Sequence, residues 1–583
     1  MDHNGNREYA PGKDLDAPLA SFHLYCQRLI AFAMDLIRAP GLICSALVNG
    51  GRPYNRDLNA ISNREPAGRA SALAVAGGIL LSRLVGLVRE RVFAHYFGNS
   101  DAADAFRAAF RIPNFLQNLF GEGVLSASFI PVYARLNAEE RHEESSQLAE
   151  AVFALLFFVT SLLVVVGFFA TPWLIDLIAP GFQGEKRRLT IQLVQVLFPG
   201  AALLVLSAWC LGILNSHRRF FLSYAAPVVW NVMIISAFIL QGRNLSQNHL
   251  AVIVALASVV GSGLQFLIQL PTVLRLLWPL RLHLRFGSEH VRTVVKNFFP
   301  VFVSRGVVQI SAYIDSWLAS FLGTGAVSAL GYAQTLYTLP ISLFGMAVSA
   351  AELPAMSSTL GTADEIAATL RQRLTRGLQQ IAFFVVPSAV AFVMLGDVIV
   401  ATIYRSGHFN GQDVIFVWAV LAGSAVGLLA STSGRLYSSA FYALRNTRTP
   451  LNFAVIRVVL TLSLGYFFAL PLPRLLHIDQ HWGAAGLTLS AGIAGWVEFL
   501  LLRRALHKNI GTVPHSGRRI AKLWLAAILA AVVGYGIKRV LPFQSALLIG
   551  PCVIGPFGGV YLGLTHALGI AMPGTLSRIL RRR

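Results

Sequence analysis

The chain has 583 residues, of which 55% are hydrophobic and only 13% are charged, and its mean hydropathy is +0.61. This composition excludes a soluble protein, and the recurring apolar segments are about as long as the 20 residues that cross a hydrocarbon core. The net charge of +21 lies mainly in the connections between these segments, which favours the positive-inside rule over nucleic-acid binding.

Residues 1–68 are polar except for one amphipathic segment over 19–37. Arg28, Asp35 and Arg38 interrupt its apolar run, which argues against a signal peptide. Two interpretations remain open: a helix that lies on the membrane surface, or a start codon placed too far upstream. No function is assigned to this N-terminal extension.

From Arg69 onward the sequence predicts about fourteen transmembrane spans, and therefore an all-α polytopic membrane protein. Basic residues are more frequent in the connections on one side, and this asymmetry predicts that both termini are cytoplasmic. Lys186, Arg187 and Arg188 form one cluster on the opposite side, for which the sequence gives no reason. The approximate cores of the spans are 71–97, 103–134, 148–175, 189–215, 222–241, 249–277, 293–322, 327–350, 377–404, 413–440, 450–470, 483–502, 519–537 and 545–570.

Short motifs recur between the two halves of the chain. Residues 179–185 (APGFQGE) have an echo in residues 406–412 (SGHFNGQ), and a proline-centred motif at 129–133 recurs at 352–356. A third pair joins residues 215–218 to residues 444–448. Six spans separate equivalent points, so the halves share one orientation, as in transporters built from parallel repeats. The predicted domains are an N-lobe (69–284), a C-lobe (285–508), and a final helix pair with a basic tail (509–583).

Two arginines, Arg83 and Arg89, lie inside the first predicted span. An arginine at the centre of a membrane helix costs roughly 2.5–3.5 kcal/mol on insertion scales, so such residues usually face water or a partner charge. On a straight helix the two side chains point about 120° apart. The sequence therefore predicts one broad cationic wall. Phosphate is the most common anion that arginine binds in a bidentate manner.

The second predicted span carries further charges. Arg107 and Arg111 share a helix face, Asp104 precedes them, and Glu122 follows between two glycines. Such a helix cannot face lipid on all sides. For Arg107 the alternative is a position near the membrane edge, with the side chain extended toward the interface.

The second half of the chain adds Arg305 and Asp315 on the seventh span and Arg435 on the tenth. Structural ion pairs inside the bundle, such as Arg83 with Glu122, are the alternative to a binding site. Asp315 is a candidate ligand for a coupling cation, and the alternative is that it is the structural partner of an arginine.

The sequence carries no nucleotide-binding loop of the GxxxxGK[ST] type and no clustered metal-ligand pattern. The prediction is a protein that is not an enzyme, has no cofactor, and draws energy from an ion gradient or the membrane potential. The cysteines are scattered at positions 26, 44, 210 and 552.

Several segments resemble the MurJ (MviN) family of lipid II flippases, which belongs to a superfamily with polysaccharide-lipid flippases and MATE antiporters. The resemblance covers about residues 69–583 and implies fourteen helices, with two lobes in a V shape and a final pair that forms a groove for a lipid tail. The segments are SRLVGLVRE (82–90), DAFRAAFRIPN (104–114), FGEGVLSASFIPVY (120–133), GILNSHRRFFLSYAAPVVWN (212–231) and ALRNTRTP (443–450).

The resemblance implies movement of an undecaprenyl-pyrophosphate-linked peptidoglycan precursor from the cytoplasmic to the outer leaflet of a bacterial inner membrane, for cell-wall synthesis. The implied partners are lipid II, membrane lipids and, as a further candidate, a coupling ion. Asp104 and Asp315 are candidates for gating or coupling. The candidate substrate-binding residues are Ser82, Arg83, Arg89, Arg111, Glu122, Arg305 and Arg435.

The chain departs from the family pattern at two places. Gln117 or Asn118, and Thr335 with Thr338, stand where the family usually has charged residues, arginine above all. Arg305 is the hypothetical replacement charge. Two alternative functions stay open. A flippase for another polyprenyl-diphosphate glycan, such as an O-antigen unit, would need nearly the same cationic cavity, and the missing arginines are the support for a non-transporting scaffold of the cell-wall machinery. A MATE-like exporter is disfavoured because this cavity would repel cationic drugs.

Overall fold

The computed structural model describes residues 67–277, 288–357, 362–514, 517–541 and 545–570. Within these ranges the chain forms helices joined by turns, apart from one isolated bridge between Ser406 and Phe409. This confirms the predicted all-α class. The amphipathic segment at 19–37 lies outside the described residues.

The first half of the chain contains eight helices within residues 67–277. They are α1 (Ala67–Phe97), α2 (Asp101–Phe120), α3 (Glu122–Ser128), α4 (Ile130–Ala138), α5 (His142–Ile178), α6 (Gly184–Ser216), α7 (Phe220–Gln241) and α8 (Gln247–Leu276).

The second half contains twelve more helices among the described residues. A π-helical turn at Ile341–Met346 joins the second and third of them, and 3₁₀ turns lie at Ser320–Leu322 and Gln480–Trp482. They are α9 (Glu289–Ala319), α10 (Ala326–Pro340), α11 (Ala347–Ser357), α12 (Ala363–Met394), α13 (Gly396–Tyr404), α14 (Gly411–Val426), α15 (Leu428–Ala443), α16 (Arg448–Ala469), α17 (Pro471–Leu475), α18 (Gly483–Ile510), α19 (Gly517–Val540) and α20 (Ala546–Ala567).

Ten helices in the described part of the chain are long and apolar enough to cross a membrane, or eleven if the bent pair α14–α15 is one span. Helices α1, α2 and α9 are not among them, although at 20 to 31 residues they are about 30–46 Å long. All three carry several charged side chains. The polytopic fold is confirmed, and the count of fourteen spans stays a prediction.

The second predicted span, 103–134, differs from the observed structure. In the structure helix α2 ends at Phe120. After Gly121 the chain continues as the short helices α3 and α4. A Cβ at Gly121 would collide with the carbonyl of Gln117, which accepts the Gly121 N–H at 2.7 Å. The break therefore depends on the absence of a side chain at this position.

The internal repeat is visible in the backbone. Helix α6 and the α14–α15 pair are offset by 227 residues at both ends, and α7 and α16 by 228 residues at both ends. Arg218 and Arg445, 227 residues apart, both adopt a left-handed conformation where these helices end, with φ of 58° and 57°. The two halves are therefore parallel structural repeats, as the recurring motifs predicted.

Each half packs around one central helix. In the first half α6 contacts α2, α5 and α8, and in the second half α18 contacts α14, α15 and α16. Helices α19 and α20 pack on each other and on α12 and α13. Lys538 of α19 forms an ion pair with Asp397 of α13, and the Tyr561 hydroxyl donates to the Phe383 carbonyl at 2.6 Å. The final helix pair is thus attached to the second repeat.

The bend between α14 and α15 depends on two glycines in contact. A Cβ at Gly427 would lie 2.5 Å from the Cα of Gly492, and a Cβ at Gly492 would lie 2.9 Å from the Gly427 nitrogen. Because backbone atoms cannot move aside as a flexible side chain can, α15 approaches α18 this closely only without side chains at both positions.

Gly427→Ala is therefore expected to lower the free energy of unfolding by about 1–3 kcal/mol, the usual cost of overpacking. Gly434→Ala on α15 is the matched control, because its Cβ would meet nothing closer than 3.9 Å and alanine favours the helix. The melting temperatures of both variants, measured in one detergent by intrinsic fluorescence, test this. Equal melting temperatures would contradict the proposed role of the glycine contact.

Candidate functional site

The two repeats meet at one end of the bundle, and Asp104 is central to that contact. Its side chain is fully buried, and its carboxylate accepts the backbone N–H groups of Gly325 at 2.8 Å and Ser328 at 2.7 Å. These groups belong to the N-terminus of α10, where the helix dipole favours a negative charge. A residue of the first repeat thus caps a helix of the second.

Lys186 supplies the opposite charge. Its Nζ lies 2.7 Å from Asp104 and 2.9 Å from Asp101, and the Thr324 hydroxyl donates to Asp101 at 2.8 Å. The neighbouring Arg187 pairs with Asp176 at 2.7 Å. Two members of the basic cluster that the sequence left without explanation, Lys186 and Arg187, therefore neutralise carboxylates.

Hydrogen bonds to backbone carbonyls also join the two repeats at this end. The His408 N–H donates to the His95 carbonyl at 2.8 Å, and Arg91 donates to the carbonyls of Thr402 and Ile403 at 2.8 and 2.9 Å. Gly98 has a φ of 57°, and a Cβ there would lie 2.6 Å from the His408 carbonyl oxygen. We call this contact region, residues 95–104 with 320–328 and 402–409, the closed end.

Below the closed end lies a charged cluster that we call the carboxylate triad: Arg89, Glu90 and Arg107. Glu90 is buried, and its carboxylate lies 2.7 Å from the Arg89 guanidinium and also pairs with Arg107. Arg89 lies over the ring of Trp230, with its Cζ 4.9 Å from the ring centroid. One carboxylate thus positions two guanidinium groups from neighbouring helices, and the triad keeps a net positive charge.

Arg111 follows Arg107 one turn further along α2. Its guanidinium lies 5.6 Å from the Tyr313 ring centroid, and the Tyr313 hydroxyl donates to the Arg111 carbonyl at 2.5 Å. Asp315 is half-buried, within electrostatic reach of Arg111 and Arg457. Its Oδ1 has no hydrogen-bond partner among the described residues. Asp315 is therefore within electrostatic reach of one arginine of each repeat.

The arginines around Asp315 bear on its predicted role as a cation ligand. Two guanidinium groups nearby disfavour a further cation by charge repulsion. In the described part of the chain no three His, Cys, Asp or Glu side chains converge on one point. This geometry favours the alternative interpretation, in which Asp315 is the partner of an arginine.

Arg435 is exposed on α15, within electrostatic reach of Arg457 and Glu498, which pair with each other at 3.0 Å. On α1, Arg83 is exposed and Ser82 is half-buried. The side chains of Glu122 and Arg305 are outside the described residues, so the predicted pairing of Arg83 with Glu122 and the replacement role of Arg305 stay predictions.

Three functional candidates were missed or misplaced by the sequence reasoning. Glu90 was not singled out, and Lys186 was noted only within a basic cluster that had no assigned role. The membrane edge was one of two positions considered for Arg107, whose side chain is 19% exposed and paired with Glu90. A signal existed for Glu90, because a carboxylate next to an arginine inside an apolar span needs a partner.

The family model described as lipid II flippase MurJ matches residues 93–550. The lipid II flippase MurJ of Burkholderia cenocepacia is 32% identical over 518 residues, covering 85% of this chain and 96% of that protein. The probable lipid II flippase MurJ of Rhizobium meliloti is 30% identical over 532 residues, covering 87% and 95%.

Solved structures of membrane transporters also resemble this chain. A lipid II flippase MurJ in an inward closed conformation has a TM-score of 0.70 and 26% identity, covering 85% of this chain and 98% of that one. An inward-facing multidrug resistance MATE family transporter has a TM-score of 0.59 and 17% identity, covering 76% and 100%. The second likeness shows a shared fold.

Lys186→Ala is expected to weaken the closed end, because it removes the only cation whose ion pair with the buried Asp104 is seen among the described residues. The cost is about 1–3 kcal/mol, that of a lost charged hydrogen bond. Spin labels at positions 188 and 412, both exposed and on opposite repeats, would show a shift toward longer distances by pulsed electron resonance.

The matched control for this prediction is Arg187→Ala, which breaks the exposed pair with Asp176. Its distance distribution should equal that of the unsubstituted chain. Identical distributions for Lys186→Ala and Arg187→Ala would show that the Lys186 ion pair does not hold the repeats together.

Proposed function

This chain belongs to the lipid II flippase MurJ family, and we propose that it carries lipid II from the cytoplasmic to the outer leaflet of a bacterial inner membrane by alternating access. The observation that carries the proposal is the row Asp104, Arg107 and Arg111 on α2. These residues are about 4.5 and 6 Å apart along the helix axis. The row leads from the contact between the repeats to the cationic groups below it.

The orientation of the molecule follows in this proposal from the charges of the connections. Both termini are cytoplasmic, and the closed end then faces the outer side of the membrane. The N-lobe is 69–284, the C-lobe 285–508, and the final helix pair with its tail 509–583. Cargo enters from the cytoplasmic side and leaves when the closed end opens.

The cargo has a diphosphate headgroup, which needs cations in a site sheltered from bulk water. Arg89 pairs with the same carboxylate as Arg107, and Arg111 follows Arg107 one turn further along α2. Guanidinium groups bind phosphate oxygens in pairs. Ser82, Arg83, Glu122, Arg305 and Arg435 complete the proposed substrate-binding set.

Asp104 is the gating residue in this proposal, since it joins the repeats at the closed end. Asp315 acts with it by linking Arg111 of one repeat to Arg457 of the other. The lipid leaves the protein chemically unchanged, so transport requires no catalytic residue and no cofactor. The membrane potential or an ion gradient supplies the energy.

Arg89→Ala and Arg111→Ala are each expected to lower the rate of lipid II exposure on the outer leaflet about 10- to 100-fold, which corresponds to one or two lost charge-assisted hydrogen bonds. The measurement depletes the cell's own flippase, expresses the variant, and quantifies exposed lipid II. Arg135→Ala is the control, because its side chain is 80% exposed and pairs with Glu139 on the surface.

Each outcome of this experiment has a definite meaning. Rescue by the unsubstituted chain and the control alone supports the proposal, whereas rescue by all variants would remove the arginines from the mechanism. Failure of a well-expressed unsubstituted chain would exclude lipid II transport. Expression of the chain in a strain depleted of its O-antigen flippase would then test transport of the related cargo.

The Asp315→Asn variant distinguishes a role of Asp315 in gating from a role in ion coupling. If Asp315 links two arginines, the variant should transport lipid II several-fold more slowly while keeping the same response to sodium and to collapse of the proton gradient. Transport in right-side-out vesicles, with each gradient abolished in turn, measures this. Loss of a sodium or proton response in the variant alone would instead identify Asp315 as the coupling residue.

A further inference from the structure

Arg107 has surroundings unlike those of the other arginines in the described part of the chain. Its guanidinium lies between two aromatic rings, with Cζ 4.6 Å from the Phe93 centroid and 4.9 Å from the Tyr332 centroid. Phe93 belongs to α1 of the N-lobe and Tyr332 to α10 of the C-lobe. Arg107 also pairs with Glu90, yet its Nε is buried without a hydrogen-bond partner among the described residues.

The second lobe provides a fitted space for this side chain. A Cβ at Gly331 would lie 3.0 Å from the Arg107 Nε and 3.1 Å from its Cδ and Cζ. The Arg107 guanidinium therefore fits against α10 because position 331 has no side chain. The contact is built from both lobes rather than being a chance approach of a long side chain.

Tyr332 connects Arg107 to the closed end. Its side chain is fully buried, and its hydroxyl donates to the carbonyl of Gly98 at 2.8 Å, across the lobe contact. Its ring also packs on Tyr404 and Phe409 of the C-lobe, with centroid distances of 5.0 and 5.3 Å. Anything that moves the Arg107 guanidinium therefore acts on a residue that holds the lobes together.

A bound anion would compete with the contacts that Arg107 makes to the aromatic rings and to Glu90. A cation–π contact is weaker than a charge-assisted bond between guanidinium and phosphate, and phosphate oxygens can also compete with Glu90 for the same donors. A diphosphate bound beside the carboxylate triad would therefore draw Arg107 away from Tyr332. A ligand shifts a conformational equilibrium only through such differential contacts.

We propose that Arg107 transmits binding of the diphosphate headgroup to the closed end: without cargo it stabilises the lobe contact through Tyr332, and a bound diphosphate removes it from that contact. This inference rests on the proposed transport of a diphosphate lipid and adds its regulation. Arg107 is a positioning residue for the gate as well as a ligand for the headgroup. The closed end opens more readily when the headgroup is bound.

The test measures closure directly. Asn99→Cys and Ser328→Cys are introduced in a full-length chain whose native cysteines are replaced by alanine, because the side chains at 99 and 328 touch at 3.0 Å across the closed end. The rate of disulfide formation in proteoliposomes reports closure. Undecaprenyl pyrophosphate is the probe, and undecaprenol, which has the same tail without charge, is the control lipid.

In the otherwise unsubstituted chain, undecaprenyl pyrophosphate should lower the cross-linking rate about tenfold relative to undecaprenol, the factor expected for loss of one partly desolvated cation–π contact. Arg107→Ala should cross-link more slowly without ligand and should not distinguish the two lipids. Arg107→Lys should recover part of the difference, because an ammonium group also binds an aromatic face and phosphate.

A second pair of variants distinguishes the role of the Tyr332 ring from that of its hydroxyl. Tyr332→Phe keeps the aromatic face and should keep the response to the diphosphate, whereas Tyr332→Leu should lose it. This comparison remains decisive if Arg107→Ala fails to fold, since neither tyrosine variant removes a charge. All variants are compared at matched melting temperature and yield.

A full response to undecaprenyl pyrophosphate in Arg107→Ala, equal behaviour of Tyr332→Phe and Tyr332→Leu, or the absence of any response in the parent chain would each overturn the inference. The proposed function fails separately, when the unsubstituted chain does not restore lipid II exposure in depleted cells. A chain that restores exposure but shows no Arg107-dependent response keeps the function and loses the coupling.

Discussion

The fold depends on one constraint: a charge inside an apolar bundle has to be paired, and in this chain the pairing partners come from different lobes. Asp104 is buried on a helix of the N-lobe, yet two of its three hydrogen bonds come from the backbone of α10 in the C-lobe. Removing that helix would leave the carboxylate without two of its three donors in a region poor in water. The lobe contact is therefore a requirement of the buried charge as well as a result of shape.

The same constraint explains why the gate and the binding region share one helix. Helix α2 carries Asp104, Arg107 and Arg111 on successive turns, and each meets a residue of the second repeat: the α10 N-terminus, Tyr332 and Tyr313 respectively. A movement of α2 relative to the C-lobe must change all three contacts together. A charged row on one rigid helix is thus a direct physical link between cargo binding and closure, with no longer chain of contacts needed.

The elements and the repeat could be predicted from the sequence because both are local properties. The turn after α6 and the turn after α15 have matching motifs, and Arg218 and Arg445 adopt matching left-handed conformations. The charge pairs could not be predicted, since Lys186 is 82 residues from Asp104 and Arg107 is 17 residues from Glu90. Their pairing depends on how each helix is rotated about its axis, which hydrophobic spacing defines poorly when a helix is apolar on most sides. The glycines beside Glu122 allow either close packing or a local break, and the structure shows the break, where a Cβ at Gly121 would collide with the Gln117 carbonyl oxygen.

The number of arginines is a poor guide to how such a cavity binds an anion. Arg89 and Arg107 are both held by Glu90, and this pairing lowers the net charge of the triad while fixing the direction of two guanidinium groups. An unpaired arginine would attract a diphosphate more strongly, but it would also repel its neighbours and cost more to keep in the membrane. A carboxylate that can be exchanged for phosphate gives reversible binding, because the guanidinium groups always have one partner or the other. A transporter needs this property, since its cargo has to leave as readily as it enters.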